Sequence, residues 1–374
     1  KITASCLSTL WLLQGETGNH SKRSLIPKMK IVVDTMGGDN APFINIEGTI
    51  QYLNDPKSKG EIVLVGPETL IREELQSRSF ESPRLHIQNA SQVVTMEDSP
   101  TRSYKEKKDS SMRVGIEMVK NGEGDAFISA GNTGATMTYS LLILGRIRGV
   151  DRPAVGAFMP HEEGTTLLLD VGAVAEAKPK NLLQFGIMGS IVHSKITKNP
   201  SPRVALMSIG EESEKGTSLV KEAKRLLEMA NLNFQGYAEG NDIFNSKFDV
   251  IVTDGFTGNV CLKLAESSFK TLFSMIKSRL DRPSRLLGAR LIKPLFTELV
   301  DIFDPNNYGG SPLLGIKGIS IIAHGSSNGK AIKNALFEAQ RLVNSNLIEA
   351  IEQEITASLS YIAYADLGEE VIHH

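Results

Sequence analysis

The sequence predicts an α/β fold in which helices cover both faces of a mostly parallel, doubly wound sheet. From Lys30 onward, short runs rich in β-branched residues alternate with helix-length amphipathic segments, which is typical of strands buried between two helical layers. Nearly all of these runs end in Gly, Asp, Asn or Ser, as expected where a strand leads through a loop into a helix. The predicted strands are Ile31–Asp34, Ile62–Val65, Leu85–Gln88, Ala126–Ala130, Leu167–Asp170, Val204–Ile209, Val250–Thr253 and Ile319–Ala323.

The composition is that of an ordinary globular protein with a large core. The chain has 374 residues, of which 41% are hydrophobic and 22% charged, and its formal net charge is -2. This balance gives no bulk attraction to nucleic acid, so we expect no nucleic-acid partner. Cys6 and Cys261 are too few for a disulfide framework or a four-ligand zinc site, and a reducing cytoplasm is the simplest setting. No apolar run is long enough to predict a transmembrane helix.

The first 28 residues differ from the rest of the chain. The apolar run Ile2–Leu13 lacks the Ala-x-Ala pattern of a signal-peptide cleavage site, and the polar stretch Gln14–Lys28 has no structural pattern. Met29 directly precedes the first predicted strand. We therefore interpret residues 1–28 as an unstructured extension.

Residues 29–374 contain no repeat or linker, which predicts a single α/β domain with a helical protrusion at about 261–304. Leucines at four-residue steps beside basic residues indicate a basic amphipathic helix over Lys277–Asp304, interrupted near Pro283 and Pro294. The leucines are Leu287, Leu291, Leu295 and Leu299, and the basic residues are Arg279, Arg282, Arg285, Arg290 and Lys293.

The first predicted strand runs into two glycines. It ends at Asp34, and Gly37, Gly38 and Asp39 follow before a predicted helix. Glycines let backbone N–H groups approach an anion closely, and a helix N-terminus adds a favourable dipole. The same residues also suit a tight strand-to-helix turn, and this loop alone does not decide between the two.

Three further strands end in similar loops, which favours an anion-binding site built from several of them. Because the carboxyl ends of parallel strands share one edge of a sheet, we expect all four loops to meet there. Asn and Thr supply neutral donors, whereas some of the aspartates have the commoner use as helix N-caps or turn formers. The candidate residues in these three loops are Asn132, Thr133, Gly134, Asp170, Gly172, Asp254 and Asn259.

A lysine lies in the polar loop Ser208–Gly216, where glycines and glutamates surround it. Lys215 could neutralise a phosphate or a developing oxyanion, and the nearby glutamates would keep it charged. A lysine in a charge run is more often solvated surface, and the loop by itself leaves both interpretations open.

Several familiar motifs are absent. The chain has no Gly-x-Gly-x-x-Gly, so a standard dinucleotide fingerprint is missing. Gly325–Lys330 has one residue too few between its glycines for a phosphate-binding P-loop, and no Ser or Thr follows Lys330. The same stretch reads Gly-x-Ser-x-Gly, but a hydrolase with Ser327 as nucleophile needs a later histidine, and only His373 and His374 follow.

With these motifs in view, the chain resembles the bacterial acyl-ACP:phosphate acyltransferases of phospholipid synthesis from Met29 to about Gln353. The matching segments are Val33–Asp39, Lys107–Met112, Ser129–Gly134, Gly145–Ile147, Asp151–Ala154, Asp170–Ala173, Asp254–Val260, Asn307–Gly310 and Ala323–Ser327. So many matches in the same order make the resemblance highly specific.

The resemblance implies a Rossmann-like fold akin to the isocitrate/isopropylmalate dehydrogenases and phosphotransacetylases, and a homodimer. It implies an acyltransferase that converts acyl carrier protein (ACP) thioester and orthophosphate into acyl phosphate without a cofactor. Lys215 and Asn259 match residues implicated in catalysis. His324 falls in a matching segment, Lys178 matches the lysine of the family pattern that follows Asp170, and we assign both to substrate binding. The lipid pathway adds two interpretations of the basic helix to packing against a second subunit: docking of the acidic ACP, and contact with an anionic membrane.

One loop departs from the family pattern. Where the family usually reads Asp-Val-Gly-Ala-Asn-x-Asp-x-Lys-Pro, this chain has Val174 and Glu176 at the Asn and second Asp positions. The change removes one amide donor and moves one carboxylate, which puts contacts of that loop in doubt. The Val174 departure leaves a phosphate- or carrier-binding regulator without catalysis as one alternative. Among enzymes, a phosphotransacetylase acting on acyl-CoA is the nearest rival.

Orthophosphate is already an anion and needs positioning and relief of charge repulsion more than a strong base. We expect Gly37, Gly38 and the Asn132–Gly134 segment to hold it. Lys215 and Asn259 would then stabilise the charges that develop as the thioester is attacked.

Overall fold

The computed structural model describes residues 29–372 except 211, 213, 214 and 281. The predicted extension 1–28 lies outside the described residues. In the described chain, eleven strands form one sheet in the order β3-β2-β1-β4-β11-β10-β5-β6-β9-β7-β8. The strands are β1 (Lys30–Asp34), β2 (Glu61–Gly66), β3 (Leu85–Asn89), β4 (Ala126–Ser129), β5 (Ala154–His161), β6 (Gly164–Leu169), β7 (Val204–Met207), β8 (Phe234–Ala238), β9 (Val250–Val252), β10 (Ser311–Leu314) and β11 (Ile319–Ile322).

Helices cover both faces of this sheet, as the alternating sequence pattern predicts. Within β1, Ile31 and Val33 belong to one buried cluster, whereas Val32 belongs to the other, because successive side chains of a strand point to opposite faces. The helices are α1 (Phe43–Leu53), α2 (Glu68–Ser77), α3 (Pro100–Glu106), α4 (Ser111–Lys120), α5 (Thr133–Leu144), α6 (Pro179–Thr197), α7 (Ser218–Met229), α8 (Gly255–Ser278), α9 (Pro283–Phe303), α10 (Gly329–Val343) and α11 (Leu347–Ile372). The predicted fold class is confirmed.

The sheet consists of two parallel halves that run in opposite directions. We call β3, β2, β1, β4 and β11 the first half-sheet, and β6, β9, β7 and β8 the second half-sheet. Between them, β10 pairs antiparallel with β11 and β5, and β5 pairs antiparallel with β6. The expectation that all the glycine loops share one edge of a parallel sheet is therefore wrong.

The strand ends of the two half-sheets meet nonetheless, because the halves are offset along the strand direction. Ile322 at the end of β11 pairs with Ser311, and two residues further along β10, Leu313 pairs with Val155 of β5. The next residue of β5 pairs with Leu169, the last residue of β6. The carboxyl ends of both halves thus lie at nearly the same level, and their loops open into one cleft.

The sequence did not predict three of the strands, and the reason can be identified for each. Pro312 lies inside β10, and proline normally argues against a central strand because it has no N–H to donate. Gly236 lies inside β8 with a φ of 95°, which is unfavourable in a strand. β5 follows the Pro153 turn and carries Gly156 and Pro160, so its pattern is also interrupted.

The segment predicted as a helical protrusion corresponds to α8 and α9. It begins at Gly255, six residues before the predicted boundary, and it contains two helices. Pro283 occupies the first turn of α9, where a missing N–H costs nothing. The predicted interruption at Pro294 is wrong, because that proline lies inside α9. Among the described residues, no helix is both long and apolar enough to cross a membrane.

Candidate active site

Three loops of the first half-sheet pack tightly against one another at the cleft. A Cβ on Gly37 would come within 2.7 Å of the Gly131 nitrogen, so the loops after β1 and β4 can approach this closely only with glycine there. Gly38 has a φ of 107°, which favours glycine, and the N–H of Asp39 donates to the carbonyl of Gly325 at 2.9 Å. The Gly37–Asp39 segment therefore joins the loops that follow β4 and β11.

Asp34 lies beneath these loops and is buried. Its carboxylate accepts hydrogen bonds from the hydroxyls of Ser111 at 2.6 Å and Ser129 at 2.7 Å, and from the N–H of Met36 at 3.2 Å. Burial raises the pKa of Asp34, and these donors oppose the shift. Because its oxygens already hold the loops together, Asp34 acts as a positioning residue.

The N-terminus of α5 faces the cleft. Asn132 is its N-cap, and the Asn132 side-chain oxygen accepts from the N–H of Ala135 at 3.0 Å. The amide nitrogen of Asn132 donates to the carbonyls of Met96 and Asp98, which orients the cap. Thr133 begins the helix, and the first N–H groups of a helix have no carbonyl partner within it. This helix start can bind an anion.

In the second half-sheet, Asp170 organises the loop that follows β6. It is buried, and its carboxylate accepts from the N–H groups of Val155, Gly172, Ala173 and Val174. Burial raises the pKa of Asp170, and these N–H groups oppose the shift. The departure at Val174 leaves this arrangement intact, because only the backbone of that residue takes part.

The N-terminus of α8 packs directly on the Asp170 loop. The N–H of Gly255 donates to the Val174 carbonyl at 2.9 Å, and a Cβ on Gly258 would lie 1.9 Å from the Asp170 carbonyl oxygen. Asp254 caps this helix by accepting from the N–H and hydroxyl of Thr257. The Asp170 loop and the cap together fix the first turns of α8.

A cavity of about 220 Å³ lies between the two half-sheets. Thr133 and His324 reach it from the first half-sheet, and Asn259 reaches it from α8 in the second. Ser327, Lys263 and Glu266 also line it. The remaining lining residues are mainly apolar, and they include Val155, Ala157, Phe158, Met159, Val171, Phe244, Leu262, Ala265, Phe269 and Phe303.

His324 lies within reach of a lysine that the sequence pattern did not single out. The Nε2 of His324 is 3.5 Å from the Nζ of Lys263, which also pairs with Glu266 at 3.0 Å. The Nδ1 of His324 is 2.8 Å from the Ser326 hydroxyl. Burial lowers the pKa of His324 and Lys263 adds to the shift, so the imidazole is neutral near pH 7. Lys263 lies one helical turn after Asn259, so the two side chains share a face of α8. This spacing is the feature of the sequence that could have identified Lys263 as a site residue.

The other predicted site residues do not line this cavity. Lys215 lies in the loop after β7, where its half-exposed side chain pairs with Glu212 at 3.5 Å. Lys178 is exposed at the N-cap of α6. The predicted residues outside the cavity lining are Asp34, Gly37, Gly38, Asp39, Asn132, Gly134, Asp170, Gly172, Lys178, Lys215 and Asp254.

Comparison with known proteins identifies the family. The sequence profile described as "Fatty acid synthesis protein" matches residues 29–350. The chain belongs to this family. It is 46% identical over 330 residues to the phosphate acyltransferase of Alkaliphilus oremlandii, covering 88% of this chain and 98% of that protein. It is 48% identical over 330 residues to the phosphate acyltransferase of Heliobacterium modesticaldum, covering 87% and 98%. The family resemblance inferred from the motifs is confirmed.

Solved structures share the fold at low sequence identity. A phosphotransacetylase from Streptococcus pyogenes aligns with a TM-score of 0.59 at 17% identity, covering 84% of this chain and 94% of that one. The EutD phosphotransacetylase from Staphylococcus aureus aligns with a TM-score of 0.54 at 15% identity and the same coverage. These likenesses support the Rossmann-like architecture.

Proposed function

We propose that this chain is a phosphate acyltransferase that moves a fatty acyl group from an ACP thioester to orthophosphate. The observation that carries the proposal is the cavity, in which the start of α5, polar side chains of both half-sheets and a largely apolar lining meet. An acyl thioester needs the apolar lining, and phosphate needs the helix start. The relatives named phosphate acyltransferase support the same activity.

In the proposed reaction, a phosphate oxygen attacks the thioester carbonyl carbon while the helix start at Thr133 holds the anion. The carbon–sulfur bond then breaks, acyl phosphate forms, and the carrier leaves as a thiolate that takes a proton from solvent. Asn259 donates a hydrogen bond to the oxyanion of the tetrahedral intermediate, a contact worth about 2.7–4 kcal/mol. The positive charge of Lys263 beside His324 lowers the repulsion between the negative charge of the phosphate and the negative charge that develops on the thioester oxygen.

Lys215 stays a predicted catalytic residue. The loop that carries it follows β7, and Met207 at the end of β7 contacts Cys261 of α8, with 3.9 Å between the two sulfurs. This contact places the start of the loop beside the helix that bears Asn259. We propose that Lys215 exchanges its exposed pairing with Glu212 for the charge that develops on the substrate.

An assay with two donors tests the proposed activity. The protein is incubated with phosphate and either palmitoyl-ACP or palmitoyl-CoA, and hydroxylamine traps the acyl phosphate. Product from palmitoyl-ACP alone is expected. Product from palmitoyl-CoA would instead indicate a phosphotransacetylase, and no product from either donor would indicate a regulator that binds phosphate or carrier without catalysis.

The exposed apolar residues of α8 and α9 form a surface that we propose packs against a second copy of the chain. Exposed apolar residues that cluster on a protein surface mark interaction sites. The exposed residues are Leu264, Leu272, Met275, Leu291, Ile292, Leu295 and Leu299. ACP and an anionic membrane are the other candidate partners of this surface.

Leu291→Glu should convert a dimer into a monomer in sedimentation velocity, because the new charge would be desolvated at the interface. Thr297→Glu adds the same charge outside the leucine stripe and serves as the control. An unchanged mass with weaker co-sedimentation with anionic vesicles would favour membrane contact instead. An unchanged mass with a higher KM for acyl-ACP would favour carrier docking.

A further inference from the structure

The cavity at the candidate active site follows α8 and has an apolar strip along that helix, beside polar side chains such as Lys263 and Glu266. Asn259, Leu262, Ala265 and Phe269 line it from successive turns of that helix. Val155, Ala157, Phe158, Met159 and Pro160 of β5 line it as well. This apolar strip, which we call the channel, is therefore continuous with the site where the thioester carbonyl would react.

The length of the channel can be read from α8. Asn259 and Phe269 are ten positions apart, which corresponds to about 15 Å along a helix. An extended chain advances roughly 1.1–1.2 Å per bond, because three backbone bonds span 3.3–3.6 Å. A distance of about 15 Å therefore accommodates an extended chain of roughly a dozen carbon atoms.

Three aromatic side chains from separate elements form one wall of the channel. Phe269 of α8 stacks on Phe303 of α9, with ring centroids 4.1 Å apart and an interplanar angle of 23°. Phe244 meets Phe269 edge to face at 5.8 Å. Such contacts stabilise one another beyond simple burial, so the wall is held in place from three directions.

The Phe269–Phe303 pair also borders a second cavity of about 480 Å³ between α8 and α9. Both cavities reach His324, but their linings differ. Lys270, Asp304 and Ser326 line only the second cavity, whereas Ala157, Met159 and Leu262 line only the first. A hydrocarbon chain gains more from the first cavity, because more apolar side chains line it than line the second.

We propose that the first cavity holds the acyl chain of the donor, and that the wall formed by Phe244, Phe269 and Phe303 determines which chain lengths are accepted. This inference rests on the proposed function for the identity of the donor. The acyl carbonyl lies between Thr133, Asn259 and His324, and the hydrocarbon runs along α8 toward Phe269.

Filling the channel tests this proposal. Ala265→Phe places a large side chain on the channel side of α8, where it competes with carbons distant from the carbonyl. The kcat/KM for lauroyl-ACP, whose acyl chain matches the length of the channel, should fall about tenfold or more relative to that for butyryl-ACP, since one methylene in a hydrophobic pocket already changes selectivity by roughly 10–200-fold. Ser267→Phe, on the exposed side of the same helix, should leave the ratio unchanged. An equal loss for both donors would overturn the proposal.

A binding measurement separates this proposal from the proposed function. A polyene fatty acid of a length that the channel accommodates, which fluoresces in apolar surroundings, should bind the wild type and the Ser267→Phe variant. Ala265→Phe should weaken its binding about tenfold or more. Equal binding to both variants would overturn the acyl site. The proposed function would be overturned if the wild type made no acyl phosphate from any donor. If Ala265→Phe alone still lost fatty-acid binding in that case, the acyl site would be supported.

Discussion

Asp34 and Asp170 are both buried carboxylates at a strand end, one in each half-sheet, yet different donors hold them. Asp34 accepts mainly from the hydroxyls of Ser111 and Ser129, which belong to two other elements. Among the described residues, Asp170 accepts from backbone N–H groups, three of which lie within its own loop. The first carboxylate joins separate elements, and the second shapes one loop.

This difference shows how the two halves of the cleft are built. In the first half-sheet, packed glycine loops surround Asp34 and present the start of α5 for an anion. In the second, the Asp170 loop supports the start of α8, and through it the position of Asn259. We therefore expect changes in the second half to affect turnover most directly.

Gly258→Ala should have the largest effect. The added Cβ would meet the Asp170 carbonyl oxygen, so either α8 or the Asp170 loop must move. A displacement on the order of 1 Å at a reacting group costs about a hundredfold in rate, and overpacking also costs about 1–3 kcal/mol or more of stability. Activity assays and urea unfolding measure both effects. Gly240→Ala is the control, because nothing lies near its added Cβ, and wild-type activity in Gly258→Ala would contradict the geometry.

Lys215→Ala comes next. If its ammonium stabilises charge in the transition state, kcat should fall on the order of a hundredfold while the KM for phosphate changes little. The measurement is steady-state kinetics on palmitoyl-ACP with phosphate varied. Lys57→Ala removes an exposed lysine elsewhere and should leave kcat at the wild-type level. Full turnover by folded Lys215→Ala protein would remove Lys215 from the mechanism.

A matched pair of substitutions compares the two aspartates directly. Asp170→Asn should destabilise the fold more than Asp34→Asn. The amide nitrogen of the new side chain cannot accept a hydrogen bond, and the backbone N–H groups that face it can only donate. The hydroxyls of Ser111 and Ser129 can rotate and accept from an amide. The difference in the free energy of unfolding should be about 1–3 kcal/mol, the cost of one unsatisfied buried donor. Urea unfolding of both variants measures it, and equal losses would contradict the contrast.

The smallest effect is a pH dependence at Asp34. Burial raises its pKa in the folded protein, so the folded state binds this proton more tightly than the unfolded chain. The contribution of the protonated Asp34 to the free energy of unfolding is fully present below about pH 3.9. It is lost as the pH rises through the raised pKa of Asp34 in the folded protein. The free energy of unfolding of the wild type, measured relative to that of Asp34→Asn, should therefore decline as the pH rises. A difference that stays constant from pH 4 to 8 would show that the pKa is not raised.

Much of the fold was predictable because its parallel strands have strong local patterns. All eight predicted strands exist, because runs such as Ile62–Val65 combine β-branched residues with complete burial. β8 and β10 were missed because Gly236 and Pro312 interrupt their patterns, and pairing with neighbouring strands overrides that local preference.

The candidate site was predictable in part. Motif position identified Thr133, Asn259 and His324, which line one cavity. Lys263 and Phe269 were not predicted. A lysine and a phenylalanine within a helix have no distinguishing pattern in the sequence, and only the structure shows that they face the cavity. The site roles of all these residues remain predictions that the experiments above test.

The sequence by itself determined the α/β class, the glycine loops at the strand ends and the family, because each depends on local pattern or on ordered motifs along the chain. Only the tertiary structure decided that the Gly37 and Asp170 loops follow strands of opposite direction. Strand direction and offset arise from pairing between residues far apart in the chain, such as Leu313 with Val155. The same long-range pairing places the apolar channel beside Asn259.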